Sequence, residues 1–393
     1  MRATPLPGGA LLPRSRWREM GVSTTRLAGP QFLRPLPGLL TPRDHPAWFD
    51  DVASALQTTL IPGAVLSHTT AAVLYGVPVP VDADNGIGLL VRLRDPRSGR
   101  RRLSLFARRD SPEAPPLTDL DALAPGHSAL ELRLPRMHCR VPPDRSRSAG
   151  RNVTVHQMAP GATRRWHGLL LSSPAELLRE LATTLEHDEV VIAIDHFLGP
   201  NSAFGAATRD SVRRALTPYR RRPGYRRVFR ALADAREGVE SPGETRTRLL
   251  VTRAGFPEPI PNLRVPDPHS GITRRIDNAY ASLLIGVEYD GDMHRRRGAW
   301  REEHARRDSL ESAGWTLRRL TAADIRAPGR FLSALRRTFL AGGHAAPPES
   351  AWRGAAGRAL RRPIPRPASP QPSSRRPASP QPSLPRPASP FSR

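Results

Sequence analysis

The chain has 393 residues, 61 basic and 36 acidic side chains, and a formal charge of +25 at pH 7, with a pI near 11.6. Every basic side chain is arginine, no lysine occurs, and the balance excludes an acidic surface and points to polyanionic partners. The single cysteine, Cys139, excludes an internal disulfide framework and any multi-cysteine metal site.

The opening MRATPLPGGALLP has one charged side chain and a broken apolar run, a poor signal peptide. No stretch reaches the ~18 consecutive apolar residues of a membrane span. Both predict a soluble, cytoplasmic protein with no membrane partner. Ser23 is placed to N-cap a short helix bearing Thr24, Thr25, Arg26 and Leu27. The apolar segment that follows, turned at Pro37-Gly38, reads as a β wing. Helix plus wing suits a winged-helix-like module over 1–43, and such a helix either meets DNA or is plain polar surface.

Residues 44–205 read as an α/β middle domain. Trp48, Phe49, Val52, Ala55 and Leu56 keep helical spacing up to Pro62-Gly63. Ser67 caps a helix over 69–75 that Gly76 ends, and His68 serves that cap. Residues 86–94 read as a strand, 95–144 as an inserted loop or long hairpin, and 152–157 as a strand. Ser173-Pro174 opens a helix to about 185, and another holds 190–198, where the Asp195-His196 pair reads as structural.

Residues 206–240 form a basic helical connector. Between 211 and 230 there are eight arginines, no acid, and three aromatics, Tyr219, Tyr225 and Phe229. Arginine forks grip phosphate and aromatics stack on bases, so Arg220, Arg221, Arg222, Arg226 and Arg227 are candidate DNA contacts. The alternative is a solvated helical face.

Residues 241–341 carry the chemistry. Ser241, Pro242 and Glu244 have the spacing of an N-cap, a first-turn proline and a capping box. Residues 274–280 and 283–291 read as the strands of a hairpin. Alternation puts Glu288 and Asp290 on one face, with Asp277 on the neighbouring strand. Clustered carboxylates call for a cation, and oxygen-only donors suit Mg²⁺ or Mn²⁺. His294 follows the Gly291 turn, where it could move a proton or hold a phosphate. The alternative is an acidic surface hairpin paired with arginines. From 342 to 393 the chain is Pro/Ser/Arg-rich, with RPASP repeating every ten residues from Arg366, and reads as a disordered arm, either a solvated tail or a nucleic-acid tether.

Glu244-Thr-Arg, Ile276-Asp277, Val287-Glu288-Tyr-Asp290-Gly291-Asp-Met-His294 and Ala313-Gly314-Trp315-Thr-Leu-Arg318 resemble the very-short-patch-repair-like endonuclease domain of actinobacterial proteins, in the PD-(D/E)-x-K nuclease superfamily. Residues 15–200, through the stretch 65–76, resemble AbiEi-type antitoxin regulators. The resemblance implies an α/β (α+β) chain whose C-terminal part is a restriction-endonuclease-like mixed sheet flanked by helices. It implies that Asp277 and Glu288 ligate Mg²⁺ or Mn²⁺ and that Glu244 supports them. Asp290 stands where the superfamily has its lysine, leaving that role to His294 or to the metal. Glu303 and Arg306 stand where the family shows Asp and Arg, so Glu303 is an auxiliary residue. The expected function is a metal-dependent DNA endonuclease in repair or phage defence. The alternative is a non-catalytic DNA-binding regulator on a nuclease-like scaffold. DNA, a second copy of the chain, and a toxin or repair protein are the expected partners.

Overall fold

The structure, a computed structural model, describes residues 6–80, 83–107, 134–145, 149–267, 271–290 and 299–353. The chain is mixed α/β and divides into two compact units between Thr184 and Leu185. No helix among the described residues is long and apolar enough to cross a membrane.

The first unit begins with β1 (Leu12–Pro13), α1 (Arg14–Glu19), α2 (Thr24–Ala28), β2 (Phe32–Leu36) and β3 (Leu39–Pro42). The strands make a small antiparallel sheet in the order β1-β3-β2, and Gly38 supplies the positive φ of the β2–β3 turn. Ser23 caps α2 as its sequence predicts, accepting the Arg26 N–H at 3.2 Å. Trp17 is fully buried edge-on against Phe32 and donates its indole N–H to the Leu40 carbonyl.

Next come α3 (Phe49–Ala55), β4 (Val65–Leu66), α4 (His68–Tyr75), β5 (Leu90–Arg94), β6 (Arg101–Ala107), β7 (Met137–Val141), β8 (Val153–Gln157), β9 (Thr163–Trp166), β10 (Leu169–Ser172) and α5 (Pro174–Thr184). Five strands form a mixed sheet in the order β8-β7-β4-β10-β9, and β5 and β6 form a separate hairpin. The segment 95–144, expected as a loop or long hairpin, therefore contains β6 and the buried sheet strand β7; residues 108–133 lie outside the described ones. Every residue of β7 is buried, so it shows no polar alternation to read.

The cap of α4 differs from expectation. Ser67 occupies the N-cap position, but its hydroxyl faces His68 Nδ1 at 3.0 Å instead of a helix N–H. The His68 N–H is taken by Glu180 of α5, 112 residues away, at 3.3 Å. Burial pushes Glu180 up to about 7, against the pull of Arg140.

The second unit contains α6 (His187–Leu198), α7 (Arg209–Leu216), α8 (Tyr225–Asp234), α9 (Pro242–Arg253), β11 (Ile260–Pro266), β12 (Thr273–Tyr280), β13 (Ile285–Tyr289), α10 (Ala299–Ser312), β14 (Thr316–Leu320), α11 (Ala322–Arg326) and α12 (Gly329–Ala341). Its sheet runs β11-β12-β13-β14, antiparallel until the last pair, which is parallel. Alternation along β13 sends Ile285 and Val287 into one core with Leu250 and Val251 of α9 and Leu332, Leu335 and Phe339 of α12. The opposite face packs Ile276 and Leu317 with Leu310 of α10 and Trp315. Gly286 lies between Ile276 and Leu317, where a methyl group would fall 2.6 Å from a Leu317 methyl.

Residues 206–240 lie within this unit. α7 and α8 bury Val212, Leu216, Val228, Ala231 and Leu232, so the segment is packed on one side and basic on the other. Residues 342–353, expected to belong to a disordered arm, are folded at their end. A short turn at Glu349–Ala351 brings Trp352, 5% exposed, into stacking on Phe256 at a centroid distance of 5.8 Å. The RPASP repeats lie outside the described residues.

Candidate functional site

Helix α9 positions the first acid. Ser241 accepts the Glu244 N–H at 3.2 Å, and Pro242 sits in the first turn. The second half of the expected capping box is absent. Glu244 Oε2 reaches past Ser241 to the Glu240 N–H at 2.9 Å and also accepts from Asn262 Nδ2 at 2.5 Å. Gly243 lets the helix start against Tyr289 of β13; a methyl there would fall 2.0 Å from the ring.

A buried ionic seam holds α9 to α6. Asp195 Oδ2 accepts from Arg248 Nη2 at 2.8 Å and Thr245 Oγ1 at 2.9 Å, and Oδ1 accepts the Arg236 N–H at 2.7 Å. Arg246 pairs with Glu189, and Arg253 with Asp188, along the same face. Asp195 is structural, as expected.

Asp277 on β12 faces the end of β13, where Oδ2 accepts the Tyr289 N–H at 3.0 Å. Burial, and then the charges of Glu244 and Glu288, push Asp277 up to about 7. Glu288 on β13 is 5% exposed. Arg306 Nη2 lies 2.8 Å from its Oε1 and Arg319 Nε 3.6 Å from its Oε2. The Arg306 contact is close without the direction of a hydrogen bond, so Oε1 is a buried acceptor with no hydrogen-bond partner among the described residues. Asp277 and Glu288 offer oxygen donors of the kind a hard divalent cation takes, with Arg306 standing 2.8 Å from the Glu288 Oε1 that an ion would use.

The other predicted site residues fall elsewhere. β13 ends at Tyr289, so Asp290 leaves the strand alternation; its side chain is exposed while Glu288 is buried. Its N–H still bonds the Leu320 carbonyl at 2.8 Å. His294 lies outside the described residues, and Glu303 lies on α10 with its side chain outside them. Glu244 joins Asp277 and Glu288 by charge. Among the described residues, however, the one trio of potential ligand atoms gathered within 4.8 Å is made of histidines.

The basic segment presents Arg220, Arg221, Arg226 and Arg227 on the exposed side, with Arg222 half-buried. Arg227 also donates to the Leu185 carbonyl at 2.7 Å. Tyr225 and the exposed Phe229 stack at 5.4 Å.

The histidine trio is what sequence reasoning missed. His68 opens α4, His138 lies on β7 and His156 on β8. The rings of His68 and His156 stack at 3.8 Å, and His138 Nδ1 lies 2.8 Å from His156 Nε2. Burial, reinforced by the neighbouring imidazoles, holds His68 well below the usual histidine range and brings His156 to about 4. His68 and His156 lay in segments read as a helix and a strand, but nothing in the sequence said that β7, carrying His138, would lie between them. No family model, curated protein or solved structure matches the chain.

Proposed function

We propose that this chain is a metal-dependent DNA endonuclease that hydrolyses phosphodiester bonds beside Asp277 and Glu288. The observation that carries the reading is Asp277, a half-buried carboxylate on β12 lying in the field of two buried ones, Glu244 and Glu288. The family resemblance of those three residues supports it. Asp277 and Glu288 hold the ion, and Glu244, anchored by two N–H donors, adds charge from the helix. When bound, Mg²⁺ or Mn²⁺ lowers the pKa of water and offsets charge on the phosphate. Arg306 and Arg319 orient Glu288, and the arginine face of α7 and α8 grips the DNA backbone. The small helical and β module at the start of the first unit acts as a winged-helix-like DNA reader.

The test is nicking of supercoiled plasmid with Mg²⁺ or Mn²⁺ by the full chain. Wild type is expected to nick, and Asp277→Ala to lose nicking while binding DNA equally or more tightly. A second reading, a DNA-binding regulator of the antitoxin kind, draws on the Arg306 and Arg319 contacts, which offset the Glu288 charge without an ion, and on the absence of lysine. No nicking by wild type, together with no heat of Mn²⁺ binding, selects that reading.

A further inference from the structure

We propose that His68, His138 and His156 form a site for one transition-metal dication of the Zn²⁺ class, separate from the carboxylates of the second unit. The sheet brings the three together. β4, β7 and β8 are neighbours, β7 and β8 run parallel with Arg140 opposite His156, and His138 lies opposite Ser67 in the extension of the β4–β7 ladder. Three residues separated by 70 and 18 positions in sequence thus place one ligand atom each within 4.8 Å of one another. Tetrahedral zinc with Zn–N distances of about 2.0–2.1 Å needs its nitrogens roughly 3.4 Å apart and each ring plane aimed at the ion, so the stacked His68 and His156 rings turn out of parallel when the site closes.

The surrounding groups bias which nitrogen of two of the rings is left for an ion. Asp84 Oδ1 lies 2.9 Å from His138 Nε2, and Asp84 is itself fixed by the Thr69 hydroxyl at 2.5 Å. An ionised carboxylate only accepts, so His138 carries its hydrogen on Nε2 and presents the Nδ1 lone pair towards His156. A carboxylate behind an imidazole in this way is the support that metal-binding histidines use to fix tautomer and direction. Ser67 Oγ, 3.0 Å from His68 Nδ1, holds the third ring and leaves Nε2 for an ion. With an ion seated, the hydrogen that His156 shares from Nε2 resides on Nδ1 instead, so no net proton is lost. Imidazole nitrogen selects zinc, copper or nickel over Mg²⁺. His68 and His138 are buried and His156 is half-buried, which places the solvent side at His156.

The experiment loads the full-length protein with ZnCl₂, removes excess by dialysis and counts zinc per chain, then repeats with Co²⁺ and records its visible absorption. Wild type is expected to retain one ion, with the intense absorption of tetrahedral Co²⁺, in the presence of excess Mg²⁺. His156→Gln, whose fold is checked by far-UV dichroism, is expected to lose that ion. Asp84→Asn should bind about 10–100-fold more weakly. Asp277→Ala should retain the ion. Three results each overturn the proposal: no retained zinc in folded wild type, retention unchanged in folded His156→Gln and His138→Asn, or loss in Asp277→Ala with retention in the histidine variants. Where His138→Asn does not fold, the His156→Gln and Asp84→Asn results decide.

Discussion

Replacing Asp195 with alanine removes an acceptor that takes three donors, two from α9 and one from the segment before it. Its carboxylate takes the Arg248 guanidinium, the Thr245 hydroxyl and the Arg236 N–H, and both Arg248 and Asp195 are at most 1% exposed. Alanine leaves the Arg248 charge buried, with the Asp234 carbonyl and Glu258 still near its Nη1 among the described residues. Breaking a buried pair in this way costs about 3–5 kcal/mol, a large part of a total stability of about 5–15 kcal/mol. With a urea m-value of about 3 kcal/mol/M, a loss of about 4 kcal/mol lowers the unfolding midpoint by roughly 1.3 M.

Arg248→Met keeps most of the packed volume and removes the opposing charge. Burial already pushes Asp195 above the usual carboxylate range, and Arg248 is the largest influence pulling it back. Without Arg248 the folded pKa rises further above the unfolded one. Stability then is fully present below the unfolded pKa and falls as pH rises through the folded value. Arg248→Met should therefore gain stability from pH 7 to pH 5 relative to wild type. Asp195→Asn with Arg248→Met strands no charge and should cost less than the sum of the singles by at least about 1 kcal/mol. A midpoint shift under about 0.3 M for Asp195→Ala, or strict additivity in the double variant, would refute the argument.

Gly243→Ala ordinarily gains up to about 1 kcal/mol in a helix, but here the methyl meets the Tyr289 ring, so the variant should lose about 1–3 kcal/mol by urea unfolding. Tyr289→Leu should relieve part of that loss. His196 is brought down to about 4 by burial, so its contribution is complete above the unfolded value of about 6.5 and is lost as pH falls to 4. His196→Gln should remove up to about 3 kcal/mol of the difference in unfolding free energy between pH 7.5 and pH 4.5. Changing Arg220, Arg221 and Arg222 to Ala should make the slope of log K against log salt shallower by about 0.9 per lost phosphate contact, measured by DNA anisotropy titrations, and an unchanged slope makes the segment a solvated face. Trp352→Ala should cost about 3–5 kcal/mol in chemical unfolding, whereas ending the chain after Arg353 should leave the melting curve unchanged.

The elements legible in the sequence were those with local signals. Ser23, and Ser241 with Pro242, mark their helix starts because a cap is made within three residues. The β12–β13 hairpin was legible because its strands are adjacent in sequence and joined by a single turn at Ala281–Leu283. What failed depended on distant residues. Ser67 has the right type and place for a cap, yet Glu180 takes the N–H because α5 packs beside α4. β7 reads as irregular until its neighbours β4 and β8 are known. Asp290 keeps the parity of Glu288 only while the strand lasts, and the strand ends one residue too soon. The histidine trio depends on strand order, which no spacing within the sequence reveals.

The seam between α6 and α9 bears on how mutational data from this protein should be read. Helix α9 carries Glu244 at one end, while Thr245, Arg246, Arg248 and Arg253 fasten it to α6. On the proposed endonuclease reading, a random screen for lost function would score Asp195, Arg248 and Gly243 beside Asp277, although the first three are not ligands of the proposed ion. A heat-of-melting counterscreen separates the groups, since the anchoring residues lower the melting temperature along with activity. Asp277 should do the opposite, because its charge, partly desolvated and facing Glu244 and Glu288, opposes folding and its loss removes a repulsion. Inactive variants that melt higher than wild type are therefore the ones that would trace the outline of the proposed site.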